Sequence, residues 1–169
     1  MSSKNTELLV NGGFESGVLA PWTVVFGTAA VSNAKRQFEG NFVAVMDPNS
    51  AIRQVVSKGL EEEIVYRLTG SLADDNTTSG IDSPENPTTV VTLQFIDKNG
   101  TVLQTFTKTF NRLTLPEMNE GNYRVFNLLA QAPEHTKGAI VTITIGADGF
   151  FGTEGIIVDE FSLIQENDD

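Results

Sequence analysis

The stretch Leu8-Leu9-Val10-Asn11-Gly12-Gly13-Phe14-Glu15-Ser16-Gly17, closed by Pro21-Trp22, gathers more special residue types than any other part of the chain. Leu8 to Val10 has the apolar character of a short first strand, and Asn11-Gly12-Gly13 permits positive φ or close backbone approach at little steric cost. A turn follows, and Phe14 and Trp22 can anchor it in a core. Between them Glu15 presents a carboxylate near turn carbonyls, chemistry suited to a hard cation.

Outward from this stretch the chain is built of runs of four to eight residues with period two, punctuated by Gly, Asn, Asp and Pro. No segment sustains a 3.6-residue period between caps, so the fold class is all-β. Ile64, Tyr66, Leu68 and Leu72 alternate with Val65, Arg67, Thr69 and Ser71, giving one buried and one wetter face. Ala139, Val141, Ile143 and Ile145 do the same against Thr142 and Thr144. Val91, Leu93 and Phe95 lead into Asp97-Lys98-Asn99-Gly100, and Val102, Phe106 and Phe110 follow; Asn-Gly between two such runs signals a hairpin. Strands are expected over residues 7–10, 22–26, 28–32, 38–46, 50–56, 63–73, 88–96, 101–110, 122–131, 137–146 and 156–165. Their number and spacing predict a two-sheet antiparallel β-sandwich, with a jelly roll the best fit. Three polar loops interrupt it, at residues 74–88, 111–121 and 147–155.

With 169 residues the chain is read as one domain over 1–169, with residues 1–6 and 166–169 as frayed tails. Its formal charge of −11 argues against a nucleic-acid backbone or an anionic membrane as partner, since both are repelled. There is no cysteine, which removes disulfides, thiol catalysis and Cys-ligated zinc. Neither a signal peptide nor an apolar run of membrane-spanning length is visible, so membrane insertion is not expected.

Enzyme constellations are poorly supplied. His135 is the only histidine and lies in the expected connector Pro133-Glu134-His135-Thr136. Asp74 with Asp75, or Asp82 with Glu85, could pair as acids, but a polar loop holds such geometry badly. The chain is expected not to be an enzyme. For a glycan, the candidate contacts are Arg53, Arg67 and Arg124 on wetter registers, with Gln54, Gln94 or Asn127 beside them, and the aromatics Tyr123, Phe150 and Phe151. They could line a concave sheet face or the loop edge.

The opening motif resembles that of carbohydrate-binding modules with a galactose-binding-like jelly roll, which often begin Asn-x-Gly-Phe-Glu-x-Gly with a Trp shortly after. Ser50-Ala51-Ile52-Arg53-Gln54-Val55-Val56, Ile64-Val65-Tyr66-Arg67-Leu68-Thr69-Gly70 and Ile157-Val158-Asp159-Glu160-Phe161-Ser162-Leu163 are similar to later strands of that family. The same opening, with Pro21-Trp22-Thr23, resembles domains that precede collagen-like repeats in surface proteins of spore-forming bacteria. The resemblance implies a structural calcium ion held by Glu15 and Asp159, with carbonyls near Gly40 and Asn41. It implies a non-catalytic module binding a polysaccharide or glycan, in an extracellular or cell- or spore-surface setting. The alternative reading is a structural or assembly protein of a bacterial, spore or phage surface, using self-association or contacts with other surface proteins.

Overall fold

The structure is a computed structural model that describes residues 6–34, 39–74, 87–110, 123–147 and 155–166. Among the described residues, ten strands run in chain order as β1 (Thr23–Phe26), β2 (Ala29–Ser32), β3 (Val43–Met46), β4 (Ser50–Val56), β5 (Val65–Asp74), β6 (Thr89–Ile96), β7 (Val102–Phe110), β8 (Arg124–Gln131), β9 (Gly138–Ile145) and β10 (Ile156–Gln165). They form two five-stranded sheets. Sheet A has the order β1-β4-β9-β6-β7 and sheet B the order β2-β3-β10-β5-β8. Every pairing is antiparallel, as the jelly-roll reading requires.

Alternation drives the two sheets together. Val91, Leu93 and Phe95 of β6 and Val141, Ile143 and Ile145 of β9 are buried while the residues between them are half-exposed. Facing them from sheet B are Tyr66, Leu68 and Leu72 of β5, Phe126 of β8 and Phe161 and Leu163 of β10. Each such side chain contributes on the order of 1.5–3 kcal/mol by leaving water. Ring contacts run from Phe14 through Trp22, Phe161 and Phe126 to Phe110 at centroid spacings of 6.0, 6.1, 5.5 and 5.5 Å. The opening segment is thereby fastened to the far side of the sandwich.

The expected strand over residues 7–10 does not form, and a side chain explains why. The Gln54 amide accepts from Val10 N at 2.8 Å and donates to Val10 O at 2.8 Å, supplying both bonds that a neighbouring strand would have offered. Gln54 is accordingly buried rather than on the wetter face. The strand expected from residue 38 starts only at Val43, because the amides of Glu39, Asn41 and Phe42 are taken by carboxylates instead of a ladder. The Asp97–Gly100 hairpin is present. Asp97 Oδ1 accepts from Asn99 N and Thr101 N at 2.8 and 2.9 Å, and Gly100 supplies the positive φ of 82°. At the chain's end Glu166 N donates to Val65 O at 2.8 Å, so residue 166 is held.

Thr89 faces both Phe110 and Ile145, and Leu72 faces Arg124, so the ends of β7 and β9 lie beside the start of β6, and the end of β5 beside the start of β8. The Asp97 turn and the β4–β5 and β8–β9 connections lie at the opposite end of these strands.

Candidate functional site

Two places concentrate chemistry. The first is an acidic junction where the opening segment, the β2–β3 connection and β10 meet. The ladder of β10 with β5 shifts register between Asp159 and Ser162, and Glu160 takes a left-handed φ of 51° there. That bulge seats Asp159, which is fully buried, with Oδ2 accepting from Glu39 N at 3.2 Å and Oδ1 from Glu160 N at 2.9 Å. Both Glu15 carboxylate oxygens accept from Asn41 N at 3.0 Å, and Oε1 also accepts from Phe42 N at 3.3 Å. Gly40 is needed beneath them: its φ is 73° and a Cβ would lie 2.0 Å from Glu15 Oε1. Glu15 and Asp159 thus both grip the turn at residues 39–42 through its backbone amides, and Gly40 and Asn41 lie against Glu15.

Two acids that sequence reasoning did not single out complete the junction, Glu39 and Glu160. The Glu160 carboxylate lies against Gly13, where a Cβ would come 2.7 Å from its Oε1. Burial raises its pKa first, and the charges of Glu39 and Glu15 raise it further. Among the described residues no three acidic or histidine side chains converge closely enough to hold a metal by themselves. An ion here would have to draw on backbone carbonyls and water as well. The donor set is nevertheless all oxygen, and the repulsion that raises Glu160 is one that a hard cation relieves.

The second place is a sheet face. The outer face of sheet B is closed at its centre, where Val43, Ser71, Ala73, Ile157 and Asp159 are all buried. The outer face of sheet A is open. Register places Thr23, Arg53, Thr142, Thr92 and Thr107 in one rung across all five strands. A parallel rung joins Val55, Ile140, Gln94 and Thr105. No strand of sheet A contains an acidic residue, although the chain has 22 of them. Beyond the face, at the turn end, lies an open depression of about 610 Å³ bordered by Ser57, Lys98, Asn99 and Lys137.

Of the expected ligand contacts, Arg53 stands exposed on this face, one strand in from the β1 edge, with no ion pair among the described residues. Arg67 lies on the outer face of sheet B, where its guanidinium forks onto Glu166 through Nε at 2.6 Å and through Nη2. Those bonds hold the Glu166 carboxyl below the usual range. Tyr123 is half-buried against the Val43, Ala73 and Ile157 cluster. Arg124 faces Leu72 and so sits on the core register at the end of β8, not on the wetter one. Phe150 and Phe151 fall outside the described residues. The Thr rung was missed because it depends on which strands are neighbours, although the absence of acids from those segments can be read directly.

No family model and no curated protein matches the sequence. Solved structures match its fold. The chain is similar to the enzymatically active domain of bacteriophage CBA120 tailspike protein 4, with TM-score 0.73, 13% identity and 95% of the chain covered. It spans about a fifth of that protein's length, 21%. It is similar to TmCBM61, solved with β-1,4-galactotriose, with TM-score 0.62 and 18% identity over 97% of this chain and 100% of that one. It is also similar to the tandem CBM22 domains of Paenibacillus barcinonensis Xyn10C, with TM-score 0.67 and 12% identity over 99% of this chain and 48% of that one. Identities this low speak to architecture, and the architecture is that of a carbohydrate-binding-module-like jelly roll.

Proposed function

We propose that the chain is a non-catalytic carbohydrate-binding module that takes a glycan on the outer face of sheet A and carries a structural calcium ion at the acidic junction. One observation carries the reading: the chain matches TmCBM61 from end to end, so the likeness is to a whole module. The open face supplies suitable chemistry. Thr hydroxyls, the Gln94 amide and the Arg53 guanidinium can bond sugar hydroxyls, while Val55 and Ile140 can pack on the apolar sides of the rings. Five strands at about 4.8 Å spacing make a rung of about 19 Å, long enough for several sugars in a row. This reading gives the protein a setting outside the cell or on its surface, where structural polysaccharides are met.

The test is binding to a panel of soluble and insoluble polysaccharides. Saturable binding to one glycan class is expected, and Arg53→Ala weakens it by about tenfold, the effect of losing a charged hydrogen bond. Tyr123→Ala then reports whether the loop edge contributes. Retention of no glycan by the folded protein would remove the proposal.

At the junction, Glu15 and Asp159 would supply carboxylate oxygens to calcium, with carbonyls near Gly40 and Asn41 and water completing the shell and the charges of Glu39 and Glu160 beside it, so that the ion ties the opening segment to β10. Because the Glu160 pKa is raised in the folded state, its contribution to the metal-free protein is present below the ordinary carboxylate pKa. That contribution is lost as pH rises through the raised value. Calcium needs the ionised form, so its stabilising effect grows over the same window. At about a hundred times Kd the ion adds about 2.7 kcal/mol. Thermal unfolding with calcium and with chelator, from about pH 4 to about pH 8, measures both effects. Glu160→Gln is expected to flatten the metal-free profile and shrink the calcium gain; superimposed curves with and without calcium at every pH would end the metal assignment.

A further inference from the structure

The four edge strands of the two sheets are not equally protected. A free strand edge is a template for another strand, and proteins blunt it with charge, inward-pointing charged residues, shortness or cover. Edge β7 carries Lys108 on its inward register, opposite Val91. Edge β8 carries Arg124 on its inward register, opposite Leu72. Edge β2 is short and mostly half-buried.

Edge β1 shares only the shortness, with four residues like β2, and has neither charge nor cover. Its sequence, Thr23-Val24-Val25-Phe26, is uncharged and exposed at every position, with Val24, Val25 and Phe26 at 44, 47 and 49% exposure. Its one interruption is a register shift between Val24 and Phe26. Among the described residues, its backbone bonds run to β4 alone. More exposed apolar surface lies beside it. Val55 is on the neighbouring β4, and Val10 is bonded to Gln54, next to the Arg53 that pairs with Thr23.

Charge identifies the occupant. Between Glu15 and Glu39 the sequence has no acidic residue, the longest such interval in a chain of net charge −11. Two copies of so acidic a chain repel where their carboxylates meet, and a contact through this edge brings none of its own strand together. The edge is also self-complementary, since antiparallel pairing sets Val24 against Val25 of the other copy and Thr23 against Phe26.

We infer that β1 pairs antiparallel with β1 of a second copy about a two-fold axis, joining the two A sheets into one. A four-residue edge with a few flanking aliphatics falls below the roughly 1,000 Å² of a stable interface, so the dimer is weak and concentration-dependent. It requires no glycan and no metal.

Sedimentation of the full chain between about 1 µM and about 500 µM tests the pairing, with mass rising toward that of a dimer across the range. Val25→Lys, at an exposed site outside the core, is expected to stay monomeric throughout while keeping the wild-type circular dichroism. A wild type that remains monomeric, or a V25K protein that dimerises like wild type, overturns the inference. Should V25K fail to fold, hydrogen exchange of the wild type decides. Amides of residues 23–26 gain protection at high concentration if the edge is paired, and unchanged exchange there overturns the pairing.

Discussion

Trp22→Ala is expected to cost about 3–5 kcal/mol of unfolding free energy, the range for deleting a large buried aromatic from a core that cannot fully collapse. Trp22 is 2% exposed and lies between Phe14 and Phe161, the latter meeting it edge-on at an interplanar angle of 82°. Its Nε1 donates to Asn11 O at 3.2 Å, and the Asn11 side chain in turn donates to the carbonyls of Val18 and Ala20 at 2.8 and 3.0 Å. Removal of the indole therefore opens a cavity and also frees the turn that carries Glu15. Urea unfolding followed by circular dichroism measures the loss, since Trp22 is the chain's one tryptophan. A change below about 1 kcal/mol would show that the opening segment is not part of the cooperative core.

Gly12→Ala is expected to be nearly as damaging for a different reason. A Cβ at this position would sit 1.8 Å from the Phe161 carbonyl oxygen and 2.9 Å from its carbon. Both are backbone atoms. Phe161 N donates to Gly12 O at 2.9 Å, so the two segments cannot separate without losing that bond as well. A loss of about 3 kcal/mol corresponds to a fall of roughly 6–12 °C in Tm for a chain of this size. Gly100→Ala is the informative control. There a Cβ meets nothing within 4 Å and only the positive φ of 82° opposes it, so about 1–2 kcal/mol is expected. Equal losses at the two positions would mean that the close approach at Gly12 relaxes without cost.

Much of the fold was legible because its signals are local. Alternation located β4 to β10 closely, and Asp97 to Gly100 announced its own turn. Phe14, Trp22 and Tyr66 were expected in the core and are buried there. What failed depended on partners distant in sequence. The Leu8 to Val10 stretch looks like a strand, but a side chain 44 residues away takes both backbone hydrogen bonds of Val10. Arg124 seemed to belong to a wet face until its pairing with Leu72 fixed the register. In the same way Glu15 and Asp159 stood out from motif position, whereas Glu39 and Glu160 join them only through a bulge and a loop. The rung through Arg53 needs the order of five strands, which no stretch of the chain contains.

The two ends of the described chain are hydrogen-bonded to each other. Leu8 N donates to Leu163 O at 2.9 Å, and the Glu7 carboxylate accepts from Leu163 N at 2.8 Å and from the Ser162 hydroxyl. In topological terms the described chain from residue 7 to residue 163 is nearly a closed loop. A host chain could leave and return through almost the same point, so the jelly roll is geometrically able to hang from a loop of a larger protein as an inserted pendant as well as to follow it in tandem.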